Sequence, residues 1–229
     1  MTDQGRIVLV AKLKGGAGAT TTCREIAAAA VAAGLRVALI DLDAQGGITR
    51  WWGRRTAEQG DAPPNPALIE MPAQKIAPAA AQLRARFGLT VIDSPPTVHE
   101  TIRTVAGAAD LALIPARPTV DDLDAVGPIA RLLRGVVDLG FVLTQVPGGR
   151  RSRDGSEALE RLASLAPVLG RTSSRLDYPR AAATGSTGYE SGGVAAEEIS
   201  DLWRAVQDRL SLSSHDEGMP LSRDNGMTG

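Results

Sequence analysis

Short apolar runs alternate with longer stretches of helical periodicity along nearly the whole chain. Runs at about 6–12 (RIVLVAK), 36–41 (RVALID), 67–71 (ALIEM), 89–93 (LTVID), 111–115 (LALIP) and 137–145 (VDLGFVLTQ) predict strands, with a weaker one near 166–170. Continuous apolar runs, rather than strict alternation, indicate strands covered on both faces. Between them the apolar spacing predicts helices at about 20–33, 47–59, 74–86, 98–107, 121–134, 154–165 and 194–210. This order predicts an α/β fold in three layers, a mainly parallel twisted sheet with helices on both faces. Gly34 sits where a left-handed residue ends the first helix, and the Pro-rich segment 60–66 (GDAPPNP) stops the second. After Leu210 the chain turns polar and loses its period, so 1–210 reads as one domain and 211–229 as a disordered tail.

Composition narrows the chemistry. The 25 Lys plus Arg nearly balance 26 Asp plus Glu, so any contact with nucleic acid must come from local clustering. An aromatic content of 3% argues against base-stacking platforms. Cys23 is the only cysteine, which removes disulfides within the chain, thiolate zinc sites and iron–sulfur clusters held by one chain. No apolar run reaches membrane-spanning length and the polar start MTDQGR carries no secretory pattern, so a cytoplasmic location is expected.

Three strand ends carry the candidate chemistry. The first leads into Lys14-Gly15-Gly16-Ala17-Gly18-Ala19-Thr20-Thr21, a glycine-rich turn that opens a helix. Its glycines let backbone N–H groups approach an anion, and the helix N-terminus adds its positive dipole end. A phosphate-binding loop of this kind normally has a lysine after its last glycine. Here that position is Ala19. The second strand ends in Asp41-Leu42-Asp43-Ala44-Gln45 and the fourth in Asp93-Ser94-Pro95-Pro96. Ligands in open α/β sheets bind beyond the carboxyl ends of the strands, so these groups should converge. Carboxylates beside a triphosphate repel it unless Mg²⁺ intervenes, with Thr20 supplying a hydroxyl to the metal. Lys12, two residues before Lys14, could compensate for the absent lysine, but on the strand it is expected to project sideways.

On these motifs the chain resembles the ParA/MinD/Soj partition-type ATPases. Their loop reads K-G-G-x-G-K-[ST]-T, in which Lys14 matches the signature lysine and Ala19 departs from the pattern. Their D-x-D-P-Q motif is matched by residues 41–45 with Ala44 in place of proline, and their D-x-P-P motif by residues 93–96. The segment Ile114 to Leu123 resembles the family's turn beside the nucleotide base, bringing in Pro115 and Arg117. The resemblance implies ATP/ADP and Mg²⁺ as ligands and a nucleotide-sandwich homodimer. It implies that Lys14 reaches the partner's phosphates and that Thr20 and, through water, Asp93 hold the metal. Asp43 orients the attacking water, Asp41 supports the metal or the switch, and Gln45 to Ile48 form part of that switch.

The absent loop lysine predicts weak nucleotide binding and very slow or absent hydrolysis, because a charged hydrogen bond is worth roughly 1.5–3 kcal/mol. Position 19 either marks a lysine replaced in an otherwise active ATPase or belongs to a naturally degenerate, non-hydrolysing adaptor. The resemblance further implies non-specific binding of double-stranded DNA, nucleoid association in the ATP state and a ParB-like or cargo adaptor partner. The basic residues to carry DNA are Arg150, Arg151 and Arg153 in one group and Arg171, Arg175 and Arg180 in another, with Arg175 and Arg180 favoured and Arg175 matching better. A MinD-like membrane anchor is not expected. The last helix places Ile199, Leu202, Trp203, Val206 and Leu210 on one side, a pattern for packing on the sheet, and its acidic residues suit anionic lipid poorly. A small-molecule ligase or reductase is the other class. A reductase of the iron-protein type lacks its cysteines here, and a ligase would not need Lys14.

Overall fold

The computed structural model describes residues 4–12, 14–57, 63–96, 99–147 and 153–216. Seven strands form one sheet: β1 (Arg6–Val10), β2 (Val37–Asp41), β3 (Ala67–Leu68), β4 (Leu89–Asp93), β5 (Leu111–Ala116), β6 (Asp138–Val146) and β7 (Val168–Ser173). Their order is β3-β2-β4-β1-β5-β6-β7, and every pairing is parallel. Helices α1 (Ala19–Ala32), α2 (Gly47–Thr56), α3 (Ala73–Arg86), α4 (His99–Ala106), α5 (Val120–Leu133), α6 (Arg153–Ala163), α7 (Asp177–Ala183) and α8 (Gly193–Asp216) cover it.

The near-continuous apolar runs follow from two covered faces. Ile7, Leu9, Ile92, Ile114 and Phe141 pack with α3 to α6 on one side. Val8, Val10, Leu39, Val91 and Leu113 pack with Cys23, Ile26, Trp51 and Leu202 on the other. Cys23 is fully enclosed, and burial pushes its thiol well above the usual range, which makes it a packing residue. The apolar stripe of α8 (Ile199, Leu202, Trp203, Val206 and Leu210) is likewise buried, as its spacing predicts.

From β1 the chain goes to β2 and β3 on one side, returns to insert β4 beside β1, and crosses to β5 on the other, so the strand order reverses beside β1. A crevice opens there beyond the strand ends. Register places Val10, Asp41 and Asp93 on one row across β1, β4 and β2, which brings the glycine loop and the two carboxylate motifs to one edge. Several details differ from the sequence reading, among them β3, confined to Ala67–Leu68 rather than 67–71, and β7, at Val168–Ser173 rather than 166–170. β1 stops at Val10, α8 runs on past Leu210 to Asp216, and α7 was not anticipated. At seven residues α7 is too short to display a helical period, and Pro179 falls in its first turn. Residues 217–229 of the expected tail lie outside the described residues.

Candidate nucleotide-binding site

The loop after β1 is shaped by its glycines and clamped from the side. Gly18 is left-handed (φ 86°), and its missing side chain leaves room for Thr144, whose atoms stand 3.3 Å from where a Cβ would be. The Thr144 hydroxyl donates to the Ala17 carbonyl at 2.8 Å, and the Gln145 amide donates to the Gly16 carbonyl at 2.8 Å. Gln145 itself adopts φ 53°, a strained value for a side-chain-bearing residue, at the end of β6. No side chain caps α1, so its first N–H groups face the loop and any anion it holds. Neither Thr144 nor Gln145 was visible as a site residue in the sequence, since nothing local marks a strand end 127 or 129 residues away as a loop clamp.

The carboxylates converge on this loop. Asp93 is fully buried and accepts from the Thr20 hydroxyl at 2.7 Å through Oδ2. Its other oxygen meets Lys12 Nζ at 3.0 Å, and the same ammonium lies 2.8 Å from Asp43 Oδ2. The expected sideways projection of Lys12 is therefore corrected. The strand ends at Val10, its alternation no longer directs residue 12, and the Lys12 backbone N–H turns to Ser94 Oγ at 3.1 Å. Burial alone would lower the Lys12 pKa, but Asp93 and Asp43 together raise it, so the ammonium stays charged. Burial raises the Asp93 carboxyl against the pull of Lys12 and Thr20.

Asp41 ties the turn after β2 to the start of α2. Its Oδ1 accepts from the Asp43 N–H at 3.1 Å, and its Oδ2 accepts from Thr49 N and Oγ1 at 2.9 and 3.0 Å. These bonds engage both of its oxygens within the segment 41–49. Gly47 packs directly on Thr20: a Cβ at position 47 would come within 2.9 Å of the threonine methyl.

Lys14 is half-buried and sits 2.6 Å from Asp122 Oδ1. Arg117 also clasps Asp122, through its backbone N–H at 3.0 Å, Nε at 2.8 Å and Nη2 at 3.1 Å. Burial opposes ionisation of Asp122, yet the Arg117 and Lys14 contacts outweigh it and hold the carboxyl well below the usual range. A depressed pKa contributes stability in full above the unfolded value of 3.8 and loses it as pH falls towards the folded value. Urea denaturation at about pH 5 and about pH 3 should therefore show a steeper loss in the unsubstituted chain than in an Asp122→Asn chain. Equal losses in the two would mean that the clasp is absent in solution.

A cavity of about 390 Å³ opens beside the loop, lined by Gly18, Thr21, Arg24, Gln145, Arg175 and Tyr178 among others. Pro115 and Arg117, expected beside the base, do not line it; Pro115 lies in β5 and Arg117 is turned to Asp122. Arg175 faces the cavity 3.6 Å from Glu198 rather than standing on the surface, whereas Arg153 and Arg180 are exposed. Arg150 and Arg151 lie outside the described residues. Trp51 is buried, its indole N–H donating to the Ser186 carbonyl at 2.9 Å, so it packs in the core on the α1 side of the sheet.

Among the described residues no group of three or more His, Cys, Asp or Glu is placed to hold a metal alone. A divalent cation would have to rest on Thr20 and on phosphate oxygens. The Thr20 oxygen fits that part, because its proton goes to Asp93 and its lone pairs remain for a cation.

Residues 8–187 match the CobQ/CobB/MinD/ParA nucleotide binding domain, and the chain belongs to this family of nucleotide-binding ATPases. A carboxysome distribution maintenance protein A from Halothiobacillus neapolitanus is 29% identical over 86% of this chain and 94% of its own length. One from Gloeobacter kilaueensis is 36% identical, but the match spans only 52% of each protein, about half the length of that relative. The fold is shared with the cell division ATPase MinD of Pyrococcus furiosus, at 16% identity and a TM-score of 0.72 over 89% of this chain and 99% of that one. Other solved structures of this fold carry ATP or magnesium-ADP. Among the described residues no helix is long and apolar enough to cross a membrane.

Proposed function

We propose that this chain is a positioning ATPase of the ParA kind that distributes a large protein body such as a carboxysome. The observation that carries the reading is the single-edge assembly of the glycine loop, the Thr20–Asp93 pair and the switch anchored by Asp41. In this reading the loop N–H groups and the start of α1 bind the β- and γ-phosphates, and the 390 Å³ cavity takes the nucleoside. Thr20 and, through water, Asp93 would hold the Mg²⁺ that neutralises phosphate charge, and Asp43 would orient the attacking water. Lys14 leaves Asp122 to reach the phosphates of a second copy, closing a sandwich dimer. Arg153 and Arg180 then contribute to a salt-sensitive, sequence-independent grip on duplex DNA, and an adaptor on the cargo stimulates release. The relatives' printed names favour a protein body over a plasmid as cargo.

The test is binding to random duplex DNA at low salt, with and without ATP–Mg²⁺. Binding should require ATP and fall at least tenfold between about 50 and about 200 mM salt. It should weaken further in an Arg153→Ala/Arg180→Ala chain. ATP-independent binding, or none at any salt, would overturn the DNA-based mechanism. A second reading, a non-hydrolysing adaptor, is favoured by Ala19 alone. It predicts no ATP turnover even in an Ala19→Lys chain supplied with DNA and cargo.

A further inference from the structure

We propose that Lys12 is the phosphate-binding cation of this site, taking over from the end of β1 the part that the loop leaves unfilled at Ala19. The proposal rests on the nucleotide-site reading above and names the group that makes such a site workable. Ala19 is 3% exposed and packs with Val8, Val10 and Cys23, so nothing polar reaches the loop from that position. Lys14 is engaged by Asp122 on the other side of the loop. Lys12 alone places an ammonium among the catalytic carboxylates.

Its position suits an anion at the loop. The ammonium and the Thr20 hydroxyl share the two oxygens of Asp93, so the charge stands beside the first turn of α1, where the N–H groups converge. An ammonium has three donors. Two are directed at Asp93 and Asp43, which leaves the third for a phosphate oxygen. Charge supports the same assignment. Without Lys12 the phosphates would meet Asp93 without a partner cation and Asp43 with only Arg50 nearby, and with it the trio carries a net single negative charge. A flexible four-carbon stem allows the ammonium to turn towards an incoming phosphate while keeping a carboxylate contact. The binding defect read from Ala19 is thereby reduced, while the transition state still lacks the loop lysine's geometry.

Titration with a fluorescent ATP analogue and Mg²⁺ tests this without reference to turnover. Lys12→Met should weaken binding about 10- to 100-fold, the range of one charged hydrogen bond. The Lys12→Met/Asp43→Asn chain keeps the trio's net charge, guards against unfolding caused by charge imbalance, and should be weakened similarly. Ala19→Lys should raise affinity far more in the Lys12→Met background than in the parent, where the cation is already supplied. Unchanged or tighter binding by the Lys12→Met chains would show an ammonium that merely plugs the site, and would overturn the proposal while leaving the nucleotide site standing. So would a parent chain that binds no ATP and gains binding only with Ala19→Lys. Failure of both the parent and Ala19→Lys to bind ATP would overturn the nucleotide-site reading and the proposal together.

Discussion

An Asp93→Ala chain is expected to melt about 10 °C below the unsubstituted protein, the largest loss anticipated for a single site residue. Asp93 has no exposed surface and closes two contacts at once, to Lys12 Nζ at 3.0 Å and Thr20 Oγ1 at 2.7 Å. Its removal leaves a buried ammonium with only Asp43 as counter-charge and a hydroxyl without its acceptor. Breaking one side of a buried ion pair costs about 3 kcal/mol or more, and each kcal/mol shifts the melting temperature by about 2–4 °C at this chain length. Asp93→Asn should fall between the two, because it keeps an acceptor for Thr20 while losing the charge. Scanning calorimetry or circular dichroism decides the matter. A shift below about 2 °C in the alanine chain would mean that the Lys12–Asp93 contact does not form in solution.

Glu198→Ala should destabilise by about 3 kcal/mol and loosen the far wall of the 390 Å³ cavity. The Glu198 carboxylate accepts from Ser173 N at 3.0 Å, Ser173 Oγ at 2.6 Å and Tyr178 OH at 2.8 Å, tying the end of β7 and the start of α7 to α8. Burial together with this carboxylate pushes the Tyr178 phenol well above its usual range, so it remains a donor at any ordinary pH. Truncation orphans three donors. Urea denaturation should register the loss of stability, and hydrogen exchange should register faster opening over 173–183. The neighbouring Glu197 is exposed, and Glu197→Ala should stay within about 0.5 kcal/mol of the parent. Similar effects at both positions would overturn this account of the cavity wall.

The contrast between Glu197 and Glu198 marks the limit of what the sequence made legible. The strand order of events was plain, because a strand buried on both faces has to be a continuous apolar run. The loop and the carboxylates at strand ends were plain too, since parallel strands deliver their carboxyl ends to one edge. Four features depended on contacts between distant residues and left no local trace. Lys12 read as an ordinary strand residue, yet β1 stops before it and the side chain turns inward. Thr144 and Gln145 clamp a loop more than a hundred positions away. Glu25, on the inner side of α1, holds the Gly188 and Tyr189 N–H groups at 2.9 and 2.8 Å, although a carboxylate among alanines suggests a surface. Arg175 stood out as a basic residue for DNA, but its ion pair with Glu198 turns it towards the cavity.

Helix α2 is fastened at both ends, and this ties the glycine loop to a distant part of the surface. At its start Gly47 rests on the Thr20 methyl, and Thr49 is bonded to Asp41. Further along, Trp51 donates to Ser186 O, Arg54 to Ala182 O and Arg55 to Gly185 O. Arg55 also pairs with Glu190 through both of its terminal nitrogens. The helix that rests on Thr20 at one end is thus bonded to the close of α7 and the turn after it at the other. Arg180 is carried on that same short helix, so α2 spans the distance from the floor of the glycine loop to the helix that bears an exposed arginine on the outer surface.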